Sequence, residues 1–211
     1  MINTLIVCDD NDIEVGDFFN KCRTKTVDLL TSSKHQFEKT VVAGNMAFEM
    51  VVPMNTNIIN SKPFLFVSYS HGSEDELLKN GITPFLSIDY EVESLKNAFA
   101  YCYACKAGRN LGIELCENGA LCFIGYNENV TIQTYFGAEG SFVECAICGV
   151  QFFIEGNSSG QTLIMIKEKY TSFMDDFYIK DMLTASLFMQ NRDALVLHGD
   201  SELSINDLNL V

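Results

Sequence analysis

The segment PFLFVSYSHG, residues 63–72, decides the predicted fold, because it is nearly all apolar and then stops at a histidine and a glycine. A strand that is apolar on both sides is typical of a parallel sheet covered by helices on both faces. Earlier in the chain, Asn3 to Cys8 has the same character, and Glu14 to Leu30 carries apolar residues at near-helical spacing. A strand followed by a helix predicts the start of a parallel α/β layer.

The rest of the chain continues this alternation. Further extended segments are predicted at Ala47 to Val52, residues 83–88, residues 100–105, Ala120 to Tyr126 and Gly140 to Gly156. An amphipathic helical region is predicted from Gln161 to about Asn191. We see no internal repeat or linker. The sequence therefore predicts one α/β domain over residues 1–211, a three-layer α/β/α sandwich with a mainly parallel central sheet.

The composition narrows the classes of partner. The 14 Lys and Arg residues against 28 Asp and Glu residues give a net charge of −14, which would repel nucleic acid and anionic membrane surfaces. The first residues lack the pattern of a signal peptide, and no stretch approaches the roughly 20 apolar residues of a membrane span. We therefore expect a cytoplasmic protein whose eight cysteines are reduced.

Two cysteine pairs, Cys102-x-x-Cys105 and Cys145-x-x-Cys148, have the form of a four-thiolate zinc site. No turn-forming residue separates the members of either pair, and residues three apart in a strand point to opposite faces. A thioredoxin-like redox pair is less favoured still, because that motif opens a helix. We predict that most of the cysteines are small core residues, and we keep the zinc site as an alternative.

Cys105 differs from the other cysteines because its apolar run ends there and Lys106-Ala107-Gly108 follows. Its thiol is expected at the carboxyl end of a strand, where ligands and chemistry collect in open parallel sheets. A cysteine nucleophile needs a base. His71 also ends a buried strand and precedes a glycine, whereas His35 lies in a polar loop and His198, in DALVLHGD, is the competing candidate.

In their order and spacing these motifs resemble the caspase-fold (clan CD) cysteine peptidases, in particular the gingipain-like and CHAT branch. The matching features are a strand ending in His-Gly, a strand ending in Ala-Cys-x-x-Gly, and NGALCFIGY at residues 118–126. The segments LKN, residues 95–97, and HGDSEL, residues 198–203, are also similar, although Ser201 stands where that branch usually has proline. The resemblance covers roughly Pro63 to Leu203.

The resemblance implies a caspase-like sandwich and a cysteine endopeptidase that needs no metal or organic cofactor. It implies that His71 acts as general base and acid, that Cys105 forms a thioacyl intermediate, and that the backbone N–H groups of Gly72 and Cys105 hold the oxyanion. Because the family places its histidine before its cysteine, it favours His71 over His198. The expected partner is a protein or peptide substrate, and control by a separate regulatory protein is a further expectation. The alternatives are a non-enzymatic zinc-stabilised interaction module and a catalytically idle caspase-like scaffold.

Four acidic residues are predicted to border the crevice and bind substrate. Asp9 and Asp10 follow the first strand, while Glu74 and Asp75 follow His71. An acidic rim would repel a substrate with Asp before the cleaved bond and attract one with Arg or Lys, with an effect that salt weakens. The simpler alternative is that these acids are solvated loop residues.

Overall fold

A computed structural model describes residues 1–90, 92–135 and 137–209. The strands are β1 (Ile2–Cys8), β2 (Phe37–Ala43), β3 (Phe64–Tyr69), β4 (His71–Gly72), β5 (Glu76–Lys79), β6 (Thr83–Ser87), β7 (Ala98–Tyr103), β8 (Cys122–Tyr126) and β9 (Leu195–Gly199). The α-helices are α1 (Gly16–Ser32), α2 (Val51–Ile59), α3 (Asn110–Glu117), α4 (Glu139–Ile154), α5 (Ser159–Tyr178) and α6 (Met182–Asp193). In this part of the chain, no helix is both long enough and apolar enough to cross a membrane.

The central sheet has six strands in the order β2-β1-β3-β7-β8-β9. Every neighbouring pair is parallel except β8 and β9, which are antiparallel. Strands β4, β5 and β6 form a separate antiparallel sheet. The predicted fold class, a three-layer α/β sandwich with a mainly parallel sheet, is confirmed. The carboxyl ends of β1, β3, β7 and β8 consequently lie at one edge of the sheet.

Alternation along the buried strands divides the core into two layers. In β1, Leu5 and Val7 pack with the layer that includes α2 and α3, whereas Ile6 packs with the layer that includes α1, α4, α5 and α6. The thicker layer contains stacked aromatic rings, with the centroids of Phe99 and Phe153 lying 3.8 Å apart. Both faces of the central sheet are therefore shielded from solvent, which is why the sequences of its strands are almost continuously apolar.

Two predicted extended segments are wrong. The segment from Gly140 to Gly156 falls mostly within α4, a 16-residue helix that is buried along most of its length. A run that is apolar all round has no helical stripe, so periodicity alone cannot distinguish it from a buried strand. Ala47 to Val52 leads into α2, where Pro53 occupies the first turn and lacks the N–H that a strand would need. The strand of this region is β2.

Candidate active site

The candidate site lies where β3 and β7 end beside each other. Their last residues, Tyr69 and Tyr103, are partners in the parallel register, so the chain leaves both strands at the same level. His71 and Cys105 follow two residues later and line one small cavity of about 60 Å³. Its remaining lining residues are Val15, Phe19, Ser70, Tyr103, Ala104, Val130 and Ile132. The structure thus brings the predicted histidine and cysteine into one largely apolar cleft.

Cys105 is held in a tight turn between β7 and α3. Lys106, the next residue, has a φ of 57°, a left-handed conformation that non-glycine residues adopt rarely and that often occurs at functional sites. The Val130 N–H donates to Cys105 Sγ at 3.3 Å, and Sγ in turn donates to the Val130 carbonyl at 3.7 Å, so both backbone groups of Val130 fix the position of the sulfur. Cys105 is also half-buried, so its sulfur can be reached from the cleft.

The other cysteines lie in environments that keep them as neutral thiols. Burial raises the pKa of Cys8 to about 12 and that of Cys116 to about 11. Burial also raises the pKa of Cys102 far above its usual range. Cys102 packs on the α2 and α3 side of the sheet, whereas Cys145 and Cys148 pack on the opposite side. The sheet therefore separates Cys102 from Cys145 and Cys148, so the four thiols that resembled a zinc site cannot bind one ion.

Gly72 brings its backbone against that of Cys105. A Cβ atom at residue 72 would lie 2.6 Å from the Cys105 carbonyl oxygen, so a side chain would force the two segments apart. Glycine is required here by close approach rather than by an unusual φ. Within the described residues, the Cys105 N–H donates to no backbone or side-chain acceptor. It is thus free to donate to another group.

The structure adds Asp12, which the sequence analysis did not select. His71 Nε2 donates to Asp12 Oδ2 at 3.0 Å. The other oxygen of Asp12 accepts the backbone N–H groups of Glu14 and Val15 at 2.9 and 2.8 Å, so the carboxylate is fixed at the start of α1. Burial alone would raise the pKa of Asp12, but these hydrogen bonds and the one from His71 together lower it. Asp12 is therefore an ionised acceptor that orients the imidazole.

The strand order explains why Asp12 was missed. It lies in the loop after β1, and only the pairing of β1 with β3 brings that loop beside His71. An aspartate shortly after a predicted parallel strand was the available signal, but sequence does not show which strands are neighbours. The Phe19 ring from α1 completes the setting of His71 by packing edge-on at a centroid distance of 5.8 Å.

The four predicted substrate-binding acids lie around this edge, and each has a partner within the protein. Asp9 is fully buried, and its Oδ2 accepts the Asn80 N–H at 2.6 Å. The other three acids are half-buried or exposed. Asp10 forms a salt bridge with Arg23, and Glu74 forms one with Arg109. The Asp75 carboxylate accepts a hydrogen bond from the Asn110 side chain. Burial raises the pKa of Asp9, opposed by the Asn80 hydrogen bond. Their role in binding substrate stays a prediction.

His198, the competing histidine, lies in β9 and pairs in register with Phe123 of β8. Its Nε2–H donates to the Gly108 carbonyl at 2.6 Å, and its ring packs against the Phe123 ring. The structure does not place His198 among the lining residues of the Cys105 cleft.

No protein-family model and no curated protein match the sequence. Among solved structures, the Arg-specific cysteine proteinase gingipain R (RgpB) is similar, with a TM-score of 0.60 at 15% sequence identity over 96% of this chain and 47% of that chain. A complex of Porphyromonas gingivalis RgpB pro- and mature domains gives a TM-score of 0.56 at 14% identity over 96% of this chain and 48% of that one. The fold is caspase-like. This chain spans about half the length of the gingipain chains it matches, and at such identity the similarity concerns the fold alone.

Proposed function

We propose that the protein is a cysteine endopeptidase in which Cys105 is the nucleophile and His71 is the general base and acid. The observation that carries this proposal is the shared cleft at the ends of β3 and β7, where a half-buried thiol lies beside a histidine held by a carboxylate. A nucleophile, a base and a group that orients the base are the parts that covalent acyl transfer needs. The similarity of the fold to gingipain supports this proposal. Assignment to the gingipain-like and CHAT branch is part of the proposal.

The hydrogen bond from Nε2 to Asp12 defines the proton path. With its proton on Nε2, neutral His71 has its lone pair on Nδ1, which takes the proton from Cys105 Sγ. The thiolate attacks the carbonyl carbon of the peptide bond, and the N–H groups of Gly72 and Cys105 donate to the oxyanion. The imidazolium then protonates the leaving amine, which leaves a thioacyl enzyme. Water, deprotonated by Nδ1, hydrolyses this intermediate and returns the thiol.

We further propose that acidic side chains are disfavoured before the cleaved bond. Asp9 and Asp12 place two carboxylates beside His71, and among the described residues neither forms a salt bridge with Lys or Arg, although the charge of Lys79 acts to lower the pKa of Asp9. A preference for Arg or Lys would depend on the acids around the cleft. Asp10, Glu74 and Asp75 are already paired with other side chains, so this preference remains a prediction. A peptide library read by mass spectrometry separates these preferences: cleavage after Asp would contradict both, and cleavage after Leu would contradict only the basic one.

The decisive experiment is labelling with an electrophilic peptide probe. We expect the wild-type protein to be labelled at Cys105 and to digest an unfolded protein substrate, and the Cys105→Ala variant to lose both properties while its circular dichroism is unchanged. Cys116→Ala is the matched control, because Cys116 is the other partly exposed cysteine. Equal digestion by wild type and Cys105→Ala would reject the proposal, and a labelled but inactive wild type would favour an idle scaffold.

A further inference from the structure

Three potential metal ligands gather behind the catalytic histidine. One carboxylate oxygen each from Asp9 and Asp12 and one ring nitrogen of His71 lie within 4.8 Å of one another. Among the described residues, this is the group of His, Cys, Asp and Glu side chains with the proximity that a metal ion requires. Asp9 and Asp12 follow β1, and His71 follows β3, so the central sheet sets their spacing.

Asp9 supplies an independent indication of a ligand. Its side chain is fully buried, and its Oδ2 is occupied by the Asn80 N–H at 2.6 Å. Its Oδ1 is buried as well and has no hydrogen-bond partner within the described part of the chain. Buried polar atoms without a partner are uncommon in folded proteins and call for an explanation such as an ion or water. Oδ1 is therefore the oxygen that remains for a cation between Asp9, Asp12 and His71.

We propose that a zinc ion binds Asp9 Oδ1, Asp12 Oδ2 and His71 Nε2, and that it reversibly inhibits the enzyme. One imidazole and two carboxylates suit zinc, whereas calcium and magnesium prefer oxygen ligands alone. Two negative charges balance the charge of the ion, and a water molecule completes a tetrahedral site.

The required geometry is close to the observed one. Ligand atoms about 2.0 to 2.2 Å from a tetrahedral zinc ion lie about 3.3 Å from each other. Nε2 of His71 and Oδ2 of Asp12 are already 3.0 Å apart, so this pair needs to open only slightly. The Asp9 oxygen lies within 4.8 Å of both atoms, so it must approach by no more than about 1.5 Å, a movement that a change in side-chain torsion provides.

Inhibition follows from the tautomer of the imidazole and rests on the proposed peptidase function. Zinc binds the lone pair of a neutral imidazole nitrogen, and the proton then lies on the other ring nitrogen. With zinc on Nε2, the proton of His71 lies on Nδ1. Nδ1 can then no longer accept the proton of Cys105 Sγ. Bound zinc would therefore prevent His71 from acting as a base, while the cleft beside Cys105 stays open to substrate.

The binding test uses the Cys105→Ala variant, which lacks both the accessible thiol of the cleft and peptidase activity. Calorimetric titration of the chelator-treated protein with zinc chloride should show one ion per chain. In this background, Asp9→Asn and His71→Ala should each weaken the affinity by at least about tenfold, as expected when a metal site is disturbed. Glu14→Gln, which removes an exposed carboxylate from the same loop, should leave the affinity unchanged. His71→Ala decides the outcome if Asp9→Asn does not fold.

The absence of zinc binding, or binding that Asp9→Asn and His71→Ala do not alter, would overturn the site. For inhibition, wild-type activity should fall with added zinc and return with a chelator, and labelling of Cys105 by the electrophilic probe should slow and recover in parallel, because His71 no longer takes the proton of the thiol. A protein that cleaves substrate but binds no zinc would refute this inference alone. A protein that binds zinc as described but shows no peptidase activity in chelator would retain the metal site and lose both the inhibition and the proposed function.

Discussion

The chain has two histidines that close an apolar strand and precede a glycine, and the sheet places them in different surroundings. His71 follows β3, which runs parallel to its neighbours, so it emerges at the edge where β7 delivers Cys105. His198 lies on β9, the antiparallel strand, so its strand ends toward the amino ends of the others. Strand direction alone thus separates a residue at a cleft from one packed against a strand.

The acceptor at Nε2 also differs between the two histidines. His71 donates to the carboxylate of Asp12, whose lowered pKa keeps it an ionised acceptor. His198 donates to the backbone carbonyl of Gly108, in the turn that begins with Cys105. One histidine is therefore set up to exchange protons, while the other ties the end of β9 to the start of α3. The comparison agrees with the proposed catalytic role of His71 and gives His198 a structural contact instead.

The largest expected effect separates the two histidines by activity. His71→Ala should lower kcat/KM for a peptide substrate by at least about 10³-fold, because it removes the proposed general base. His198→Ala should lower it by no more than about tenfold, because it touches no reacting group and acts only through the turn. Initial rates of a fluorogenic peptide measure both. Equal losses of kcat/KM, or a greater loss for His198→Ala, would contradict the different roles proposed for the two histidines.

The second effect tests the partner at Nε2. Asp12→Asn keeps the size of the side chain and removes the charge, so we expect kcat to fall by about tenfold to 100-fold while KM changes little. The pH profile supplies a readout that a purely structural role would not change. The pH dependence of kcat/KM should differ between wild type and Asp12→Asn, because His71 Nε2 loses its ionised carboxylate acceptor. An unchanged profile would remove Asp12 from the mechanism. Glu14→Gln serves as the control.

The third expected effect concerns stability. Here the larger loss is expected for His198→Ala and the smaller one for His71→Ala. His198→Ala should lower the free energy of unfolding by about 1 to 2 kcal/mol, since it leaves the buried Gly108 carbonyl without its donor. His71→Ala should lower it less, because that side chain is 31% exposed at the cleft. Urea unfolding followed by circular dichroism gives both values. A larger loss for His71→Ala would indicate that His71 holds the fold together rather than serving the cleft.

The sequence was sufficient to predict the parallel sheet, because a strand covered on both faces must be apolar throughout, as β3 and β7 are. It was also sufficient to place His71 and Cys105 at strand ends. It could not predict Asp12, because the neighbour of β3 is set by the order of strands and not by any local pattern. For the same reason the antiparallel direction of β9 was not readable from DALVLHGD. The helix α4 was missed because burial on all sides erased its periodicity.

The smallest expected effect concerns the two carboxylates beside His71, those of Asp9 and Asp12. It is a change in how the free energy of unfolding depends on pH. Hydrogen bonds lower the pKa of Asp12 in the folded state, so its ionised form stabilises the fold above the unfolded pKa of about 3.9. That contribution is lost as the pH falls through the lower folded value. Wild type should therefore be more stable than Asp12→Asn at pH 7, by about 1 kcal/mol or less, and the difference should vanish in acid.

Asp9 should show the opposite trend, because burial raises its pKa in the folded state. Its protonated form favours the fold below the unfolded pKa of about 3.9, and this contribution disappears as the pH rises through the folded value. Relative to Asp9→Asn, wild type should thus lose stability as the pH rises above about 4. Melting temperatures of both variants across this range, measured in chelator so that no metal compensates the charge, test the two trends together. Parallel trends would contradict the proposed setting of His71, in which one neighbouring carboxylate is hydrogen-bonded and ionised and the other is buried with an unpaired oxygen. Opposite trends would support both the orienting role of Asp12 and the readiness of Asp9 to accept a cation.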